Sequence, residues 1–240
     1  MPIRKVWRES RPRFLFIIVA LLVVTGAALF YNAKTETVVI ELKDFHEAGV
    51  RTIRGALFLF WGFSAMFLGL GGLLREQVVG TVDYTLSLPV SRTRWFLYRS
   101  VNGALQSMAA ALIPALAVPV MAALAGGDFP IGDAFFLGLR LGLGGMVFYS
   151  IGLLSSSIFA GDFTSAGIGF ALVFAVNNST RVIDSFKGLS LQDAIFPMPI
   201  KDEYNYLIRE HMSWNGIALS CALSLMLSLL AWKVTRERDF

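Results

Sequence analysis

Residues 73–99, LLREQVVGTVDYTLSLPVSRTRWFLYR, form a polar and charged segment between two long apolar stretches. An acidic residue, Glu76, stands near its start, and Pro-Val-Ser-Arg follows a small apolar stretch near its end. Pro89 would end a helix at this point, and Ser91 is well placed to cap the helix that follows. The segment therefore predicts a helical loop that separates two membrane-crossing helices.

The rest of the chain is strongly apolar. Hydrophobic residues make up 55% of the 240 residues, and the mean hydropathy is +0.63. The apolar runs are 14–31, 55–74, 101–125, 134–159, 165–180 and 214–232. Roughly 18–25 helical residues cross a hydrocarbon core of about 30 Å. The pattern predicts an all-α membrane protein with one domain, residues 1–240, and six transmembrane helices, of which the fifth run is the shortest.

Basic residues set the expected orientation. Twelve lie at the two termini and in the loop after the second run: Arg4, Lys5, Arg8, Arg11, Arg13, Arg75, Arg92, Arg94, Arg99, Lys233, Arg236 and Arg238. Eight others are spread over the longer segments on the opposite side. Because cytoplasmic loops carry more Lys and Arg, we expect a multi-pass protein of the inner or plasma membrane with both termini in the cytoplasm.

The segment 76–88 has two faces if it is helical. Val78, Val79, Val82 and Leu86 fall within an arc of about 100°. Glu76, Gly80 and Asp83 gather on the opposite side, where Gly80 would allow close backbone approach and the acids could meet basic groups of a partner. The alternative is a surface helix that lies under the membrane without any partner.

The order Glu-x3-Gly-Thr, Leu-Ser-Leu and Pro-Val-Ser-Arg resembles the first cytoplasmic loop of ABC-2 type transport permeases. In that family the loop forms a coupling helix that docks on a separate ATPase subunit. The resemblance implies an ATPase-coupling role for Glu76, Gly80, Thr81, Asp83, Leu86, Pro89, Ser91 and Arg92. It also implies an exporter built from two permease subunits, as a homodimer or with a sister permease, with ATP and magnesium bound by the ATPase and no cofactor in this chain.

Two further segments are expected to lie at the membrane surface. The basic N-terminal segment places Ile3, Val6 and Trp7 on one face and resembles the interfacial elbow helix that precedes the first membrane helix in ABC-2 permeases. A plain positively charged anchor is an equal alternative. Residues 181–213 hold a proline-broken apolar centre, 194–200, which predicts an external re-entrant or interfacial segment before the last helix.

The fourth run contains an arginine and a small-residue motif. Arg140 is costly at membrane depth, so it either faces a pathway or subunit interface or snorkels to the outer surface, and we favour snorkelling. Gly138 and Gly142 form a GxxxG pair that permits close helix contact. Packing within one subunit is the favoured interpretation of that pair, with a dimer interface or flexible pathway as the alternative.

Several function classes are excluded by what the sequence lacks. It has no G-x-x-x-x-G-K-[ST] phosphate loop and no H-E-x-x-H or G-x-S-x-G motif, so we do not expect an enzyme. Its single cysteine, Cys221, excludes paired-cysteine metal sites. The net charge of +4 reflects helix ends rather than a nucleic-acid-binding face. The runner-up to a permease is a membrane scaffold or assembly factor without transport activity.

Overall fold

A computed structural model describes residues 2–35, 43–71, 76–77, 80, 91–182 and 214–238. Its helices are α1 (Pro2–Thr35), α2 (Lys43–Thr52), α3 (Phe58–Gly69), α4 (Arg92–Leu124), α5 (Ile131–Gly144), α6 (Met146–Ile158), α7 (Asp162–Val182) and α8 (Trp214–Glu237). A short π-helical segment, Ile53–Leu57, joins α2 to α3. No strand occurs among the described residues, which confirms the predicted all-α class.

Five stretches are long and apolar enough to cross a membrane. They are Val6–Tyr31, Ala48–Gly69, Arg92–Leu124, Ile131–Ile158 and Trp214–Glu237. The predicted fifth run lies in α7, whose apolar part, Phe163–Ala175, is shorter than the others. The chain is therefore a multi-pass membrane protein by the length and composition of its helices.

The N-terminal segment is not a separate interfacial helix, and that prediction is wrong. One continuous helix, α1, contains both the basic segment and the first apolar run, with Pro12 inside it. Val6 is buried, and Ser10 Oγ accepts hydrogen bonds from Asn102 Nδ2 (3.1 Å) and Gln106 Nε2 (2.7 Å) on α4. These contacts hold the first turns of α1 against α4.

The core is centred on Trp61 of α3, which is fully buried. Its indole Nε1 donates to the carbonyl oxygen of Ser107 on α4 at 3.0 Å, and its ring meets Phe148 of α6 edge-on at 6.4 Å. Phe58 also meets Phe148 edge-on, with the ring centroids 5.7 Å apart. Helices α3, α4 and α6 thus surround one aromatic cluster.

Helices α3 and α6 cross with their backbones in contact. A Cβ at Gly152 would lie 3.1 Å from Met66 Cα and 2.9 Å from the carbonyl carbon of Met66. A Cβ at Gly69 would lie 2.8 Å from the backbone nitrogen of Leu153. Only residues without a side chain permit this approach, because neither neighbouring backbone can move aside without separating the helices.

Helix α8 runs parallel to α5 and α6. In successive side-chain contacts between the helices, the residue numbers increase on both sides. The contacts are Ser220 Oγ with Gly144 O, Ser224 Oγ with Ser150 Oγ (2.7 Å), and Thr235 Oγ1 with Ser157 Oγ (3.4 Å). The sequence signal for these contacts is serine at 220, 224 and 228, about one per helical turn.

Burial separates central from peripheral spans. In its most apolar window, Ile131–Ile158 is 72% buried, whereas Val6–Tyr31 and Trp214–Glu237 are each 22% buried. The exposed side chains of these peripheral helices are largely apolar and include Phe16, Val23, Leu225 and Leu229. Helices α5 and α6 therefore form the centre of the subunit, and α1 and α8 present apolar faces outward.

Candidate functional site

The structure describes some of the residues predicted to couple to an ATPase and leaves out the others. The structure describes Glu76, Gly80, Ser91 and Arg92, whereas Thr81, Asp83, Leu86 and Pro89 lie outside the described residues. The external segment predicted over 181–213 likewise lies outside the described residues from residue 183 onward. Glu76 and Gly80 belong to the α3–α4 connection, residues 72–90, whereas Ser91 and Arg92 stand at the start of α4.

The backbone conformation of Gly80 contradicts the helix predicted over residues 76–88. Its φ is +76°, it is exposed, and its N–H bonds the carbonyl oxygen of Gln77 at 3.1 Å in a turn. A right-handed helix cannot pass through a residue in this conformation. The predicted single helical face that joins Glu76, Gly80 and Asp83 is therefore wrong, because Gly80 forms a turn.

The first anchor of the α3–α4 connection is an arginine cap on α3. Arg99 of α4 donates from Nη2 to the carbonyl oxygen of Leu70, just past the last residue of α3, at 2.8 Å. Its guanidinium lies 5.6 Å from the centroid of the Trp95 ring. Gly71 has φ +115°, and a Cβ there would meet the Arg99 guanidinium. A cation at the C-terminus of a helix also stabilises the helix dipole.

The second anchor is the start of α4. Ser91 has extended backbone (φ −63°, ψ 149°), and its Oγ accepts the N–H of Arg94 at 3.3 Å. This N-cap confirms the prediction that Ser91 caps the following helix. Arg92 then donates from Nη1 to the carbonyl oxygen of Arg238, after the end of α8, at 2.9 Å.

A third arginine extends the connection to α6. Arg238 Nη1 donates to the carbonyl oxygens of Ser157 and Ile158, each at 3.0 Å. Arg92, Arg99 and Arg238, which we call the arginine caps, thus contact the carbonyl ends of α8, α3 and α6. These bonds join four helix ends at one end of the bundle: the start of α4 and the C-terminal ends of α3, α6 and α8.

Arg140 and the GxxxG pair lie inside the subunit. Arg140 is only 5% exposed, so the favoured prediction that it snorkels to the surface is wrong. A Cβ at Gly138 would lie 2.9 Å from Ala115 Cβ, and one at Gly142 would meet the Met108 sulfur, both on α4. The pair therefore packs α5 against α4 within one chain, and Arg140 is enclosed because α5 lies at the centre of the subunit.

The site offers hydrogen-bond donors and cations but no cluster suited to a metal. Within the described ranges, no group of three or more His, Cys, Asp and Glu side chains converges on one point. The arrangement holds the two ends of the α3–α4 connection against the ends of neighbouring helices.

Comparison with known proteins leaves the chain without an assigned family. No protein-family model matches it, and no curated protein matches it. The resemblance to ABC-2 permeases accordingly rests on the sequence, and its specific part is residues 76–92.

We expect Arg99→Met to lower the free energy of unfolding by about 1.5–3 kcal/mol, the usual range for a hydrogen bond to a charged group. The substitution removes the cap on the carbonyl oxygen of Leu70 while keeping an apolar side chain of similar length. The control is Arg94→Met, which removes an exposed arginine from the same helix and should change stability by no more than about 0.5 kcal/mol. If the two variants unfold at the same temperature in detergent, the cap does not contribute to the stability of the fold.

Proposed function

We propose that the chain is the membrane-spanning permease subunit of an ATP-driven ABC-2 type exporter. Two such subunits form the substrate pathway, and each couples through its α3–α4 connection to a separately encoded ATPase. The chain itself has no phosphate-binding loop in its sequence, so ATP and magnesium belong to the partner in this proposal.

The observation that carries the proposal is the anchoring of both ends of the α3–α4 connection. One end is held where Arg99 bonds Leu70 O, and the other where Arg92 bonds Arg238 O. A force applied by an ATPase to the connection would act directly on α3 and α4. Through Arg238 and the carbonyl oxygens of Ser157 and Ile158, the same force would reach α6 and α8. A coupling loop needs such rigid attachment, whereas a loop with free ends would absorb the movement.

Helix directions support six crossings. Because α8 runs parallel to α6, the chain between Ile158 and Trp214 has to return to the opposite end of the bundle. Helix α7 lies in that interval and has 21 residues, which span about 31 Å at 1.5 Å per residue. That length matches a hydrocarbon core of about 30 Å.

The basic residues support a cytoplasmic location for the end that bears the arginine caps. Both termini and the α3–α4 connection meet at this end, as the Ser10–Gln106 and Arg92–Arg238 contacts indicate. The twelve basic residues counted from the sequence belong to the same segments. The positive-inside rule then places the connection where a cytoplasmic ATPase can reach it.

Thiol labelling tests this orientation. In a Cys221→Ser background we expect Arg11→Cys and Glu237→Cys to resist a membrane-impermeant reagent in intact cells, whereas Asp128→Cys, exposed at the opposite end, reacts. All three should react after the membrane is permeabilised. Labelling of Arg11→Cys or Glu237→Cys in intact cells would place the α3–α4 connection outside and overturn the proposal.

The scaffold alternative gives a different biochemical result. A permease subunit copurifies with an ATPase in a fixed stoichiometry and alters its rate of ATP hydrolysis. A scaffold would copurify with membrane proteins without any ATPase whose activity depends on this chain.

A further inference from the structure

A polar cavity lies between α1, α3 and α4 at the end that carries the arginine caps. Its volume is about 60 Å³, and its lining includes Glu9, Ser10, Arg13, Phe67, Arg99 and Gln106. One water needs about 10–15 Å³ on this measure, so the space admits several waters or one group the size of a phosphate.

The inner wall of the cavity is a fixed set of hydrogen-bond donors. Gln106 is 3% exposed, and its Nε2 donates to Ser10 Oγ at 2.7 Å. Asn102 Nδ2 donates to the same oxygen at 3.1 Å, while Ser10 Oγ donates to the carbonyl oxygen of Val6 at 2.9 Å. A side-chain amide nitrogen carries two N–H groups, so each amide can donate a second hydrogen bond to a ligand in the cavity. The wall suits an acceptor with several oxygens.

The charges of the lining favour a singly charged anion. Arg13 and Arg99 contribute two positive charges and Glu9 one negative charge, which leaves +1. A phosphodiester carries −1 and would balance this sum. Arginine also offers several N–H donors in a fork that fits phosphate oxygens.

The surroundings place the cavity at a membrane interface. Immediately after Arg13, helix α1 turns apolar, with Leu15 and Phe16 exposed at 49% and 76%. Phe67, an apolar side chain that lines the cavity, is 47% exposed. Charged and amide groups thus line the same cavity as an exposed aromatic ring, as expected where a headgroup sits above its acyl chains.

We propose that this cavity binds the phosphate of a phospholipid headgroup, with the acyl chains lying along Phe67 and the outward apolar faces of α1 and α3. The lipid would join α1 to α3 beside the Ser10–Gln106 contact. This site does not depend on the exporter function, because it needs neither the ATPase nor the α3–α4 connection.

Native mass spectrometry of the full-length chain in dodecyl maltoside tests the site. Phosphatidylglycerol is the probe, with a glucosyl diacylglycerol of the same acyl chains and inorganic phosphate as comparisons. We expect one phosphatidylglycerol per chain to be retained, and Arg13→Gln to weaken its binding about tenfold, as for loss of one charged hydrogen-bond partner. Arg13→Lys should restore part of the affinity.

Arg11→Gln is the matched control, because it removes an exposed charge from the same helix two residues away without touching the cavity. Its lipid retention should equal that of the wild type. Equal retention by Arg13→Gln and Arg11→Gln would overturn the proposal, as would equal retention of the glucosyl lipid. Displacement of the phospholipid by millimolar inorganic phosphate would also overturn it, since the cavity would then be a site for a free anion.

Discussion

Gly152→Ala is expected to lower the free energy of unfolding by about 1–3 kcal/mol and to reduce the yield of folded protein. The added methyl group meets the backbone of Met66, at 2.9 Å from its carbonyl carbon and 3.1 Å from its Cα. A side chain could rotate away from such a contact, but a helix backbone cannot. Helices α3 and α6 would have to separate, which would disturb the aromatic cluster around Trp61. Unfolding by a denaturing detergent, followed through tryptophan fluorescence, measures the change.

Gly167→Ala on α7 is the control for helix propensity. Gly167 is exposed, and a Cβ there would meet nothing within 4 Å. Since alanine favours helices over glycine by up to about 1 kcal/mol, this substitution should leave stability unchanged or raise it. We therefore expect Gly152→Ala to lower the free energy of unfolding and Gly167→Ala to leave it unchanged or raise it. If Gly152→Ala is as stable as Gly167→Ala, the close crossing of α3 and α6 is not real.

Gly80→Trp is expected to abolish most of the coupling between the chain and the proposed ATPase partner while the membrane helices remain folded. Gly80 is an exposed turn residue with φ +76°, a conformation that costs a residue with a Cβ roughly 1–2 kcal/mol. Tryptophan would both strain the turn and add a large ring on the proposed docking surface. We expect copurified ATPase and transport each to fall at least about tenfold, the effect of 1.4 kcal/mol.

Gly126→Trp supplies a matched control at the opposite end of the bundle. Gly126 has φ +82°, is exposed, and has no atom within 4 Å of an added Cβ, as is also true of Gly80. The backbone strain and the added surface are therefore the same. Gly126→Trp should retain ATPase association. If both variants lose ATPase association equally, backbone strain alone explains the loss. The α3–α4 connection would then have no docking role.

Features that depend on local chemistry could be predicted from the sequence. Long apolar runs become helices in a membrane because every backbone polar group has to be satisfied within the helix. Ser91 caps α4 because its side chain reaches a backbone N–H only three residues away. The GxxxG pair packs on a neighbouring helix because small residues allow close approach.

Features that depend on distant partners could not be predicted. Arg99 and Arg238 enter a sequence analysis as positive charges near helix ends, and the carbonyl oxygens that they bond lie far away in the chain. Glycine adopts either sign of φ, so nothing in the sequence around Gly80 separates a turn from a helix. Helix α1 continues through Pro12, although proline removes a backbone donor and usually kinks or ends a helix. The burial of Arg140 follows from the central position of α5, which only the packing reveals.

The central claim is that the α3–α4 connection docks on a separate ATPase. The most direct test places a photo-crosslinking amino acid at Gln77, an exposed described residue of that connection, and a second one at Asp128 at the opposite end. After irradiation in intact cells, we predict that Gln77 forms an adduct with a protein that carries a nucleotide phosphate-binding loop and that Asp128 does not. An adduct at Gln77 that contains no ATPase, from a chain that is folded and inserted in the membrane, would contradict the account.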